Sequence, residues 1–144
     1  MSKRTYTACY AHLVWGTKDR VPLLKSPESR AATTRYIREY AEEKAIPVKA
    51  LYVNPDHVHL LIELPTNQTI EEIVKLVKGS SSHWINQNDI IKPKFAWAVG
   101  YAAFTVSKLN VGKVKHYIEK QEEHHRKSTF TEEYQKFIKE VENR

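Results

Sequence analysis

Apolar and polar positions follow two rhythms along this chain, and each change of rhythm marks a new element. From Thr5 to Trp15 the residues are rich in threonine, tyrosine, valine and other strand formers, and Gly16-Thr17-Lys18-Asp19 follows as a turn. Ser26-Pro27 is a helix start, with serine as the cap and proline at the first helical position, leading into Arg30 to Lys44. Strand character returns from Ile46 to Val53. Asn54-Pro55-Asp56 then turns the chain into His57 to Leu64, a continuous apolar strand broken only by its two histidines and closed by Pro65. Thr69-Ile70-Glu71-Glu72 has capping-box spacing, and Ile70, Ile73, Val74 and Val77 recur at helical intervals, so a second helix is expected to about Asn86. Phe95 to Val106, aromatic and β-branched, predicts more strand. A third helix is expected from near Asn110, and a fourth from near Thr129, where Thr129-Phe130-Thr131-Glu132 repeats the capping spacing.

Strand, helix, strand, strand, helix, strand is the order of an α+β unit of ferredoxin-like or RNA-recognition-like (RRM-like) type. Such a unit is an antiparallel sheet with helices packed on one face, and it leaves the other face free. At 144 residues the chain fits one domain, 1–144, large enough to bury a core without covalent staples. The single Cys9 cannot form an internal disulfide, and its apolar neighbours predict a buried thiol in a reducing compartment. No run approaches the ~18 apolar residues of a membrane span. The opening MSKRTYTACY lacks the apolar block of a signal peptide, so a cytoplasmic location without a membrane partner is expected.

A formal net charge of +6 attracts polyanions and makes nucleic acid a favoured partner. The basic residues are dispersed, Lys18, Arg20, Lys75, Lys78, Lys92 and Lys94 among them, which suits a folded binding surface but equally a plain solvated one.

The chemistry lies in two places. In His57-Val58-His59 the alternation of a strand puts both imidazoles on one face, about 6.5 to 7 Å apart along the backbone, where two long side chains can converge on one metal ion. On that pattern alone, a pair of hydrogen-bonded structural histidines is the plainer reading. In the third helix, Tyr117 and Gln121 are four residues apart and share a face. Val111, Val114 and Ile118 define that helix's buried stripe, with Tyr117 and Gln121 on its shoulder. On their own these two read as a core-edge aromatic and a solvated amide.

The strand PDHVHLLIEL (Pro55 to Leu64) resembles the PDHVHLLV-type strand of the single-tyrosine His-hydrophobe-His (HUH) transposases of bacterial insertion sequences. Tyr117-Ile118-Glu119-Lys120-Gln121 resembles their tyrosine-x3-glutamine helix. Similar stretches are HLVWGTKDR (His12 to Arg20), Lys78-Gly79-Ser80-Ser81, and Trp97 with Gly100-Tyr101. Departures include Asn54, where the family often has methionine, and Ala102-Ala103; neither is expected to touch a chemical group.

The resemblance implies a C-terminal catalytic helix and a site in which His57, His59 and Gln121 hold one Mg²⁺ or Mn²⁺. Tyr117 is then the nucleophile, cutting single-stranded DNA to give a covalent 5′-phosphotyrosine that a 3′-hydroxyl can later reverse without ATP. Zinc would more often show cysteine or a third histidine, for which His124 and His125 are the nearest rivals. The resemblance also implies DNA contacts from Lys18, Arg20, Lys78, Ser80 and Ser81, and recognition of hairpin ends of an element. It further implies a homodimer whose tyrosine helix serves its own or the partner's histidines, with Ser107 to Asn110 as hinge. Trp15, Trp84 and Trp97 are expected in the core rather than as base-stacking platforms. A replication-initiator or relaxase nuclease would share the chemistry, and a noncatalytic RRM-like RNA-binding module would share only the scaffold.

Overall fold

In the computed structural model the described residues are 5–121 together with Glu132, Gln135, Lys136, Ile138 and Lys139, all five of them helical. The helix start expected at Thr129, like His124 and His125, lies outside the described residues. The elements are β1 (Tyr10–Gly16), α1 (Pro27–Glu43), β2 (Val48–Val53), β3 (His57–Glu63), α2 (Ile70–Gln87), β4 (Ala102–Val106) and α3 (Val111–Glu119). Short 3-10 turns at Lys18–Arg20 and Lys108–Asn110 follow β1 and precede α3.

Local chemistry sets the helix starts. The Ser26 hydroxyl accepts the Ser29 N–H at 3.0 Å, with Pro27 in the first turn where no amide hydrogen is needed. At Thr69 the capping box is complete: the Glu72 N–H donates to Thr69 Oγ1 at 3.1 Å, and the Thr69 N–H donates to Glu72 Oε1 at 3.3 Å.

The four strands form one antiparallel sheet in the order β2-β3-β1-β4, the ferredoxin-like arrangement. Ala11, Leu13 and Trp15 of β1 and Val58, Leu60 and Ile62 of β3 face the main core, against Ile37 and Ala41 of α1 and Ile73, Val74, Val77 and Ile85 of α2. The opposite sheet face is not free as expected. Ile118 of α3 packs there on Ala50 of β2 and Leu61 of β3, joined by Tyr10, Tyr52 and Val106. The unbroken apolar run of β3 is the reason: every residue from His57 to Ile62 is buried, as in a strand covered on both sides.

Two other expectations fail for identifiable reasons. Cys9, which precedes β1, is exposed even though its carbonyl accepts the Leu64 N–H at 2.6 Å, because side-chain burial on this strand begins only at Ala11. Continuous strand also does not run from Phe95; apart from a single antiparallel bridge between Trp97 and Thr17, it is confined to Ala102–Val106. The backbone of buried Phe95 is satisfied instead by the Asn86 side chain, which accepts its N–H at 2.8 Å and donates to its carbonyl at 3.0 Å. Gly100, at φ +91°, turns the chain before β4 in a conformation other residues rarely adopt. Trp15 is in the core and Trp84 and Trp97 pack against it, as expected. Among the described residues no helix is long and apolar enough to cross a membrane.

Candidate active site

β3 delivers the paired imidazoles as its alternation requires. His57 lies opposite Gly16 of β1 and His59 opposite Val14, both on the α3 side of the sheet and both fully buried. A carboxylate only accepts, so His57 donates its Nδ1 hydrogen to Asp56 Oδ1 at 2.7 Å. Its Nε2 then accepts from Asn54 Nδ2 at 3.2 Å, so the buried Asn54, expected to touch no chemical group, instead contacts a histidine of the site. His59 Nδ1 lies 2.8 Å from Nε2 of His12, a third buried histidine, on β1. Sequence reasoning passed over His12 as a site residue. The available signal was its place in HLVWGTKDR, two positions before Val14 and so on the same strand face.

α3 brings the second half. Ile118 fixes the helix to the sheet, and the preceding residue, Tyr117, then overhangs the histidines. Its ring stands edge-on to His59, centroids 6.0 Å apart at 82°, and to His12, 6.5 Å apart at 72°. Gln121, one turn later, is fully buried rather than on a wet shoulder, and its Nε2 donates a long bond of 3.4 Å to the Tyr117 carbonyl. The structure thus gathers His57, His59 and Tyr117 within a single chain, with Gln121 on the same helix face.

Among the described residues, no three His, Cys, Asp or Glu side chains form a group suited to a metal ion. A set of two imidazoles and one amide is of a different kind. Two fully buried imidazoles beneath α3 and a fully buried amide just past its end, on a helix otherwise anchored by apolar contacts, are consistent with it. His57 is held at Nδ1 by Asp56, so its Nε2 is the atom that could meet a metal once the Asn54 amide yields that position, and His59 Nδ1 is engaged by His12 Nε2 in a pair whose hydrogen either ring could carry. Neutral donors of this type leave a cation most of its charge.

The basic positions divide. Lys18 and Arg20 are exposed on the turn after β1, beside the end of the sheet where His57 lies. Buried Thr17 pins that turn, its N–H donating to the Asp56 carbonyl at 2.8 Å and its hydroxyl to the Val21 carbonyl at 2.6 Å. Lys78 is half-buried and donates to the carbonyls of Ala98 at 2.7 Å and Gly100 at 2.8 Å. Burial lowers its pKa below the usual lysine range. The half-buried Ser80 donates to the Val77 carbonyl at 3.3 Å. Ser81 corrects the expectation of a phosphate contact: it is fully buried, donates to the Lys78 carbonyl and accepts from Trp97 Nε1 at 2.9 Å.

Comparison with known proteins gives a consistent set of likenesses. Residues 5–121 match the family described as "Transposase IS200 like". The ISDra2 transposase TnpA of Deinococcus radiodurans is 31% identical over 115 residues, which cover 76% of this chain and 81% of that protein. The transposase for insertion sequence element IS200 of Salmonella typhimurium is 30% identical over 118 residues, covering 78% and 76% respectively. A crystal structure described as that of a candidate transposase from Deinococcus radiodurans superposes with a TM-score of 0.66 at 29% identity, over 84% of this chain and 97% of that one. The REP-associated tyrosine transposase bound to a REP hairpin superposes with a TM-score of 0.60 over 87% and 74%; at 17% identity, the likeness is one of fold.

Proposed function

The chain belongs to the IS200-like transposase family, and from that premise we propose that it cleaves and rejoins single-stranded DNA through a covalent 5′-phosphotyrosine on Tyr117. The observation that carries the reading is the Tyr117 ring standing 6.0 Å from the His59 ring at the edge of a buried histidine pair.

In the cleavage step the Tyr117 oxygen bonds to phosphorus as the bond from phosphorus to the 3′ oxygen breaks. The phenolic proton is lost and the departing 3′ oxygen takes one up. Strand joining is the same exchange in reverse, with a 3′-hydroxyl displacing the tyrosine, so no external energy source is consumed. His57, His59 and Gln121 would hold the divalent cation, Mg²⁺ or Mn²⁺. When bound, that ion supplies Lewis-acid polarisation of the phosphodiester. Asp56 keeps the His57 ring fixed. The docking of Ile118 sets the height of Tyr117 above the sheet and excludes water beneath it. Lys18 and Arg20 offer charge to the DNA backbone beside the site. Hairpin-shaped element ends are the proposed substrate, a reading that takes its direction from the relative bound to a REP hairpin. The α3 helix over β2 and β3 occupies the face on which an RNA-recognition module would stack bases, which weighs against noncatalytic binding.

The test is incubation of single-stranded oligonucleotides with Mn²⁺, followed by denaturing gels. A protein-linked DNA band is expected, lost on chelation and lost in Tyr117→Phe; a band that persists in the variant refutes the nucleophile. The reading includes a homodimer. Because Tyr117 meets the histidines of its own chain, a His57→Ala subunit paired with a Tyr117→Phe subunit should regain no cleavage, and regained cleavage would place the tyrosine on the partner's site.

A further inference from the structure

We infer that His12 is a positioning residue that holds His59 in the one tautomer able to meet a cation; the inference rests on the proposed use of His59 as a ligand. Pairing of β1 with β3 sets His12 diagonally across from His59 on the same sheet face. The rings stack with centroids 5.1 Å apart at 27°, and His12 Nε2 lies 2.8 Å from His59 Nδ1. Both side chains are buried, so two lone pairs cannot face each other at that distance, and one of the two nitrogens carries the hydrogen.

The two choices have opposite consequences. If His12 donates, His59 keeps its hydrogen on Nε2 and has no lone pair to offer a metal. If His59 donates from Nδ1, its Nε2 is bare. His57 supplies the precedent within this site, since its Nδ1 hydrogen is committed to Asp56. Both candidate ligands are therefore held at the same ring atom, one by a carboxylate and one by an imidazole. The choice of an uncharged acceptor for His59 also has a chemical rationale. It orients the ring without adding a second negative charge to a site that must admit a phosphodiester.

The experiment reads ring nitrogens directly. In metal-free ¹⁵N-labelled protein, histidine ¹⁵N–¹H correlation spectra, with His59 assigned by its loss in His59→Gln, should show the hydrogen on Nδ1. His12→Leu should shift it toward Nε2 and weaken Mn²⁺ binding, followed by calorimetry, by ~10–100-fold. His12→Gln, which places an amide acceptor near the former Nε2, should restore both. A hydrogen on Nε2 of His59 in the wild-type protein overturns the inference without recourse to any variant. A folded His12→Leu with unchanged tautomer and unchanged Mn²⁺ affinity overturns it as well. Wild-type protein with the Nδ1–H tautomer that is lost in His12→Leu, but with no Mn²⁺ affinity, would sink the proposed function while leaving the hold of His12 on the ring established.

Discussion

Replacing Lys78 by methionine separates two roles that cannot both dominate. Methionine keeps most of the aliphatic stem and removes the ammonium, and with it the bonds of 2.7 and 2.8 Å to the carbonyls of Ala98 and Gly100. A hydrogen bond from a charged donor contributes ~1.5–3 kcal/mol. Here the group is half-exposed, so water replaces part of the loss, and its lowered pKa shows that burial already works against the charged form. The net expectation for the pair is therefore ~1–2 kcal/mol, at the lower end of what two such bonds could contribute. For a chain of this length that corresponds to about 3–6 °C in melting temperature. Urea and thermal unfolding should be measured beside single-stranded DNA binding at several salt concentrations. The tether predicts a lower unfolding midpoint with little change in the salt slope. An unchanged midpoint, together with a slope shallower by the ~0.7 of one lost single-strand phosphate contact, would refute it and return Lys78 to the DNA surface.

Ile118→Ala should cost ~2–4 kcal/mol by urea unfolding, because Ile118 is the fully buried side chain that fixes α3 to Ala50 and Leu61; it should also reduce DNA-adduct formation by displacing Tyr117. Full stability in that variant would show that α3 is not docked as described. Asn86→Ala strands the N–H and carbonyl of Phe95 and should cost ~1–3 kcal/mol, read from the same midpoints. A change within about 0.5 kcal/mol, the range of an ordinary surface substitution, would contradict the clamp.

The elements most legible in the sequence were those with local causes. Ser26-Pro27 and the Thr69 capping box place their helix starts through bonds spanning three residues, and both form as expected. Strand alternation likewise put His57 and His59 on one face without knowledge of any partner strand. What could not be read depended on distant residues. Phe95 has the composition of a strand residue, but its backbone is claimed by Asn86 nine positions earlier. His12 acquires its neighbour only through the register of β1 against β3, a pairing across 47 residues. Lys78 looked like a surface cation because nothing in its helix reveals that the carbonyls of Ala98 and Gly100 come to meet it. The covering of the second sheet face was half visible in the unbroken apolar run of β3, yet only the docked helix says what covers it.

The histidine pair sits on an interior strand whose neighbours on either side fix its register, with Val58, Leu60 and Ile62 turned to the opposite core. A slip of one residue in that pairing would drive both imidazoles into oil and swing three aliphatic side chains toward the tyrosine. If the proposed cleavage chemistry holds, a chain mispaired in this way is disarmed by the same mistake, because the register that buries the core also assembles the site.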